Sequence, residues 1–227
     1  ISERTAAAES GEQGILTSQS GLLPIQQSYL ENAGKDVSIF NQSVLFSIDK
    51  SLTEKDLNTA VEKLMHHHDA LRFKYNKNSD GSWIQEYGSN KGELITVDLS
   101  KSKSHSKQIE EHSQNYQRSL NIEKGDLVRF VLFKTPDIET HNRILIVIHH
   151  LAIDGVSWRI LSDDLESLLT WIPKNGKTEL GSKSSSYRQW YKALEQYGKS
   201  KRLISQIPFW ENSFTDDRLS VDKEFTG

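Results

Sequence analysis

The sequence predicts an α/β (α+β) sandwich, a mixed sheet with helices packed against it, and three observations carry that prediction. Residues 144–148, ILIVI, are a continuous apolar run rich in β-branched side chains, which suits a strand buried on both faces. The stretches 53–67 and 156–169 instead place apolar residues three and four apart, the spacing of one helical face. Asp80-Gly81 separates two short runs rich in aromatic and β-branched residues, a hairpin signal.

Composition bounds the function. A chain of 227 residues can bury a sizeable core as one large domain or two small ones. With 28 basic against 31 acidic residues there is no global basic field, which argues against nucleic acid or an anionic membrane as partner. No apolar run reaches the length of a membrane span, and ISERTAAAESGEQG has no signal-peptide core, so a cytoplasmic location is expected. The absence of cysteine excludes disulfides, thiol nucleophiles and thiolate metal sites together.

Taken in order, residues 1–20 are small and polar and read as a linker. Pro24 is placed to open a short helix carrying Ile25, Tyr29 and Leu30. Residues 40–48 alternate as a strand, with Phe40, Val44, Phe46 and Ile48 on one side. Thr53 can cap a helix running to about His67, whose inward face is Leu57, Ala60, Val61 and Leu64. A strand then begins at Leu71, Phe73 and Tyr75, answered across the hairpin by residues 82–87. His66, His67 and His68 would point about 100° apart on a helix, so no metal site is expected from them.

Residues 94–99 read as a strand and 104–120 as a polar helix, with Ile109, Tyr116 and Leu120 inward and His105 and His112 solvated. Residues 127–133 form a strand expected to pair antiparallel with 144–148. Beyond the helix of Leu161, Leu165, Leu168 and Leu169, residues 173–185 make a loop. Two helices follow over 186–197 and 199–210, anchored by Tyr187, Trp190, Phe209 and Trp210, and 213–227 is a charged, frayed tail.

The chemistry concentrates where the run 144–148 ends, at His149 and His150. Alternation along a strand points them to opposite faces, so one is expected to be chemical and the other architectural. Asp154 and Gly155 then turn the chain into a helix, which sets the histidines beside a helix N-terminus, with its unpaired N–H groups and partial positive charge. Asp154 can cap that helix or hold an arginine. A neutral imidazole suits proton transfer near neutral pH. No Gly-rich phosphate loop or GxSxG elbow competes with this site.

HHLAIDG, residues 149–155, resembles the HHxxxDG motif of the condensation-domain superfamily of nonribosomal peptide synthetases, which shares its fold with chloramphenicol acetyltransferase. GLLPIQQSYLE at 21–31 is similar to that superfamily's first core motif, with Leu23 where threonine usually precedes the proline, and HHDALRFKY at 67–75 is similar to its second. FNQS at 40–43, DGVSWRIL at 154–161 and SSSYRQW at 184–190 resemble the epimerization branch.

The resemblance covers roughly residues 21–212 and implies a chloramphenicol acetyltransferase-like half-domain, with 213–227 leading toward a C-terminal half. It implies that His150 faces a channel as acid/base group or intermediate stabiliser, that His149 packs, that Arg72 pairs with Asp154, and that Gly155 makes the turn. The implied substrate is an aminoacyl or peptidyl thioester on the phosphopantetheine of a peptidyl carrier protein, with no cofactor bound by the chain itself. The implied reaction converts L to D by removing and returning the Cα proton, with a glutamate of the C-terminal half as second group, so these 227 residues alone are expected to be inactive. A condensation domain shares HHxxxDG and is the alternative, and a non-catalytic carrier-docking half-domain is the other. No histidine precedes His66, which speaks against the dual condensing and epimerizing type.

Overall fold

The computed structural model describes residues 11–174 and 179–213. The stretch expected to be a linker is docked from residue 11 onward: Leu16 is buried, the Glu12 carboxylate pairs with Arg188 at 2.6 Å, and Ser18–Gln19 forms a short strand, β1. A two-residue ladder needs main-chain groups and no apolar periodicity, which is why pattern reading misses it. Helix α1 (Pro24–Asn32) opens with proline at its first position, where the missing N–H costs nothing. Leu23 has no capping oxygen, and Gln26 Oε1 reaches back to accept its N–H at 3.1 Å.

Strand β2 (Asn41–Asp49) alternates as expected, with Ile48 buried and Ser43, Leu45 and Ser47 exposed. Helix α2 (Glu54–His67) begins with a reciprocal box: Thr53 Oγ1 accepts the Asp56 N–H at 3.1 Å and the Asp56 carboxylate accepts the Thr53 N–H at 3.0 Å. Its buried face is Leu57, Ala60, Val61, Leu64 and Met65. Leu71 falls in a 3-10 turn, Asp69–Arg72, rather than in the strand. The hairpin of β3 (Phe73–Lys77) and β4 (Trp83–Tyr87) follows as predicted. Then come β5 (Leu94–Asp98), α3 (His105–Gln117), β6 (Val128–Lys134), β7 (His141–His149) and α4 (Gly155–Trp171). Helices α5 (Tyr187–Gly198), α6 (Lys201–Ile204) and α7 (Ile207–Ser213) close the described chain.

The principal sheet has the order β2-β7-β6-β5; β7 runs antiparallel to β2 and β6, and β5 runs parallel to β6, so the sheet is mixed. Its parallel pair is bridged by α3, the crossover such a pair requires. A second, antiparallel sheet has the order β1-β4-β3. On the principal sheet Phe130, Leu132, Ile144, Ile146 and Ile148 share one apolar cluster with the buried faces of α2 and α4. Val131, Phe133, Leu145 and Val147 share another with Ile109 and Leu120 on the opposite side. The run 144–148 is therefore buried on both faces, as its composition predicts.

Of the four aromatic side chains expected to anchor the C-terminal helices, only Tyr187 packs into a core cluster, while Trp190, Phe209 and Trp210 are exposed. Helical spacing gives an apolar face but does not say what covers it. The frayed tail expected at 213–227 lies, except for Ser213 at the end of α7, outside the described residues. Among the described residues no helix is long and apolar enough to cross a membrane.

Candidate functional site

The two histidines at the end of β7 point into different surroundings, as alternation requires. His149 is fully buried, opposite Asn41 in the ladder, and packs edge-on against Tyr29 and Phe40. Its Nε2–H donates to the Val37 carbonyl at 2.9 Å and its Nδ1 accepts the Leu151 N–H at 3.1 Å. A carbonyl only accepts and an amide N–H only donates, so both ring nitrogens are committed in the neutral form. Burial pushes its pKa down to about 4. His149 is the architectural member.

His150 turns the other way, onto the wall of a cavity of about 630 Å³ shared with Tyr29, Phe40, Phe73, Ile153 and Tyr187. Its main-chain N–H donates to Phe40 O at 2.8 Å, and its ring lies 4.7 Å from that of Phe40. Nδ1–H donates to the Ile153 carbonyl at 2.6 Å, and Nε2 lies 3.3 Å from the Gln42 amide nitrogen. Nε2 is therefore the ring atom that carries the lone pair. The arrangement offers a proton acceptor on the wall of a largely apolar cavity.

Asp154 caps α4: its Oδ1 accepts the Ser157 N–H and hydroxyl, each at 2.7 Å, and these bonds hold its carboxyl below the ordinary range. Of the two roles open to it, capping is the one observed. The expected Arg72–Asp154 pair is not formed. Arg72 is 3 % exposed and donates from Nε to Met65 O at 2.9 Å and from Nη1 to Gly88 O at 3.3 Å, while Nη2 meets Asp69. Three residues after Asp69 in a tight turn, the guanidinium meets a carboxylate, a carbonyl of the α2 terminus at Met65 and the Gly88 carbonyl just after β4 within its own reach. Lys183 completes the cluster at 2.9 Å from Asp69. Arg72 thus acts on the site by fixing the turn that brings Ala70 and Phe73 to the cavity wall. Replacing Arg72 with alanine is expected to cost about 3–5 kcal/mol by leaving buried partners unpaired, read as a loss of unfolding free energy in urea.

Gly155 is also corrected. Its backbone is not in the left-handed region and a Cβ there would meet nothing within 4 Å, so the turn does not need glycine. Gly155→Ala is expected to leave stability unchanged or raise it by up to about 1 kcal/mol in a thermal melt, since alanine favours a helix start.

The argument that three consecutive histidines splay apart fails for a local reason. Helix α2 ends at His67, and His68 is its non-helical cap at φ −93° and ψ 87°. The His67 and His68 rings lie 5.0 Å apart, and His68 Nε2 sits 2.8 Å from Asp164 of α4. Ligand-capable atoms of His67, His68 and Asp164 fall within 4.8 Å of one another. Burial holds both imidazoles below their ordinary pKa. His67 and His68 line, with Lys183, a groove of about 420 Å³ that adjoins the His150 cavity across Ala152, Ile153 and Tyr187.

His105 and His112, expected to be solvated, are both half-buried: His105 pairs with Glu139 at 3.1 Å, and His112 packs on Tyr116 and Phe133. A buried polar network also escaped sequence reading. Gln26 Nε2 donates to Gln85 Oε1 at 3.1 Å, Tyr75 donates to the same oxygen at 2.7 Å, and Tyr187 donates to Gln26 Oε1. Gln26 Nε2 also reaches Leu151 O at 3.4 Å, tying the residue after His150 to α1. The only available signal was the polar Gln26 on a short helix.

Comparison with known proteins places this geometry. The condensation domain model matches residues 18–223. A linear gramicidin synthase of Brevibacillus parabrevis is 38% identical over 203 residues, 88% of this chain but 4% of that protein. Bacitracin synthase 1 of Bacillus licheniformis is 33% identical over 205 residues, 89% of this chain and 4% of that protein. The crystal structure of the epimerization domain from the third module of tyrocidine synthetase B superimposes with a TM-score of 0.83 at 31% identity, covering 92% of this chain and 46% of that one. The starter condensation domain of rhizomide synthetase gives 0.74 at 16% identity over 86% of this chain and 48% of that one, a likeness of fold alone. The chain thus spans about half the length of the solved domains and a small fraction of the curated synthetases. With a mixed α/β fold of the chloramphenicol acetyltransferase-like type and a family match over most of its length, the chain belongs to the condensation-domain family of nonribosomal peptide synthetases.

Proposed function

We propose that the chain is part of an epimerization domain, acting on an L-aminoacyl or peptidyl thioester carried on the phosphopantetheine of a peptidyl carrier protein. The observation that carries this reading is His150 on the cavity wall with Nδ1–H held by Ile153, which leaves Nε2 without a hydrogen, as the ring atom able to accept a proton. The 31% identity to the tyrocidine epimerization domain supports this branch over condensation. Nε2 takes the Cα proton, the C–H electron pair moves into an enolate, and the thioester oxygen carries the negative charge. A second acid returns a proton to the opposite face, inverting Cα, and the proton count closes when His150 gives its added proton to solvent and the second group regains one from it. The N-terminus of α4, five residues beyond His150 in the chain, carries a partial positive charge that would favour such an oxyanion placed beside it.

Of the other titratable groups on the cavity, the Asp154 carboxylate is engaged as a cap and burial pushes the Tyr29 phenol up and the Tyr187 phenol well up, so none of the three serves as the second group. It is supplied by the remainder of the domain, and the isolated 227 residues are expected to be inactive. The test joins this segment to the rest of its domain, loads a carrier with an L-aminoacyl thioester and resolves the released product by chiral chromatography. A D/L mixture is expected. Retained L configuration, with dipeptide formed when a second loaded carrier is added, moves the assignment to condensation; neither product favours carrier docking.

A further inference from the structure

Two stretches that resemble the epimerization branch, FNQS and DGVSW, are far apart in sequence but meet at His150. Trp158 Nε1 lies 2.7 Å from Gln42 Oε1, across a separation of 116 residues, and Gln42 Nε2 lies 3.3 Å from His150 Nε2. The direction of this chain is set at both ends. An indole N–H can only donate, so the oxygen of the Gln42 amide must face Trp158 and its NH₂ must face the imidazole. At the far end the Ile153 carbonyl can only accept, so His150 Nδ1 carries the hydrogen and Nε2 accepts from Gln42. The two assignments are independent and agree.

We infer that Gln42 and Trp158 are positioning residues that hold His150 as the Nδ1–H tautomer, with Nε2 kept free of hydrogen beside the Gln42 amide. The role rests on the reading of His150 as the acid–base group. A free glutamine amide could flip and present its oxygen to Nε2, which would place a hydrogen there and remove the base. Trp158 prevents the flip by occupying that oxygen. Both residues are half-buried and Gln42 sits on β2, paired with Ile148 of β7, so the amide is carried by the same ladder that ends at the histidines. The 3.3 Å contact is long for a hydrogen bond, which suits a donor that must yield Nε2 to a substrate proton.

The test reads the ring nitrogens directly, by ¹⁵N NMR of the histidine-labelled full chain near neutral pH. The native protein is expected to show His150 with Nδ1 protonated and Nε2 in the lone-pair range. Gln42→Glu is isosteric but has no N–H to donate, and is expected to move the Nε2 signal toward the protonated range. Trp158→Phe, which keeps an aromatic ring and removes the indole N–H, is expected to move it part of the way. The His149 signals, Nε2 protonated and Nδ1 accepting, report whether each variant is folded, and are expected not to change. With the complete domain, both variants are expected to slow Cα proton exchange about ten- to a hundredfold in kcat with little change in KM, within the range ascribed to one acid–base group. Unchanged His150 signals in both folded variants would overturn the inference. Shifted signals uphold it even if the domain forms peptide bonds, in which case the epimerization reading alone fails.

Discussion

If the domain epimerizes as proposed, replacing His150 with alanine in the complete domain is expected to lower the rate of Cα inversion by about 10²–10⁴-fold, the contribution of a positioned proton-transfer group. The size follows from the cavity's inventory. Asp154 is tied up by Ser157, Tyr187 is a half-buried phenol whose hydrogen goes to Gln26, Tyr29 is a phenol whose hydrogen goes to Val37 O, and Ser157 has no basicity to offer. No other described residue lining the cavity can take over as base. The fold should barely respond, because the imidazole makes one side-chain bond to Ile153 and one long contact to Gln42, together worth about 1–2 kcal/mol. His149→Ala reverses the pattern. It empties a fully buried site and orphans the Val37 carbonyl and the Leu151 N–H, so urea unfolding should show the larger stability loss at His149 and turnover the larger loss at His150.

Stability is expected to fall as the pH is lowered from about 6.5 to 4, and His149 is the principal cause. Its folded pKa of about 4 lies below the ordinary 6.5, so the unfolded chain takes up a proton that the folded protein refuses. The stabilisation is therefore complete above pH 6.5, declines as pH drops through that value, and is lost to the extent of roughly 3 kcal/mol once the pH reaches 4. Burial is the main reason, and a second ring hydrogen would also have to sit on Nδ1, against the Leu151 N–H. His67 and His68 are shifted the same way by burial and add to the slope. His149→Phe isolates the effect: urea unfolding of this variant across the same range should show a flatter dependence on pH, at lower stability throughout. An unchanged slope would mean that His149 is protonated in the folded protein.

The elements that sequence reading placed well share one property, that their determinants are local. The doubly buried β7, the Thr53 cap and the Asp80-Gly81 hairpin each depend on neighbours within a few residues. The division between His149 and His150 was legible because alternation along a strand is itself local. What failed depended on partners from elsewhere. Nothing near His68 announces Asp164, which stands 96 residues away, and nothing in FNQS announces Trp158. Arg72 failed in the opposite direction: a distant partner was expected, and the adjacent Asp69 and nearby carbonyls satisfied it instead. Two sheets rather than one, and the parallel pairing of β5 with β6, follow from how the chain closes in space. Local pattern constrains that closure only weakly.

The most direct measurement of the central claim is solvent deuterium uptake at Cα. A carrier loaded with an L-aminoacyl thioester is mixed with the complete domain in deuterated buffer, and the released amino acid is weighed by mass spectrometry. The native domain is expected to add one mass unit to the amino acid as its Cα proton exchanges, and His150→Ala to reduce the rate by at least about a hundredfold. Exchange that proceeds at the native rate without His150, or a native domain that exchanges nothing while joining two carrier-bound substrates, would contradict the account.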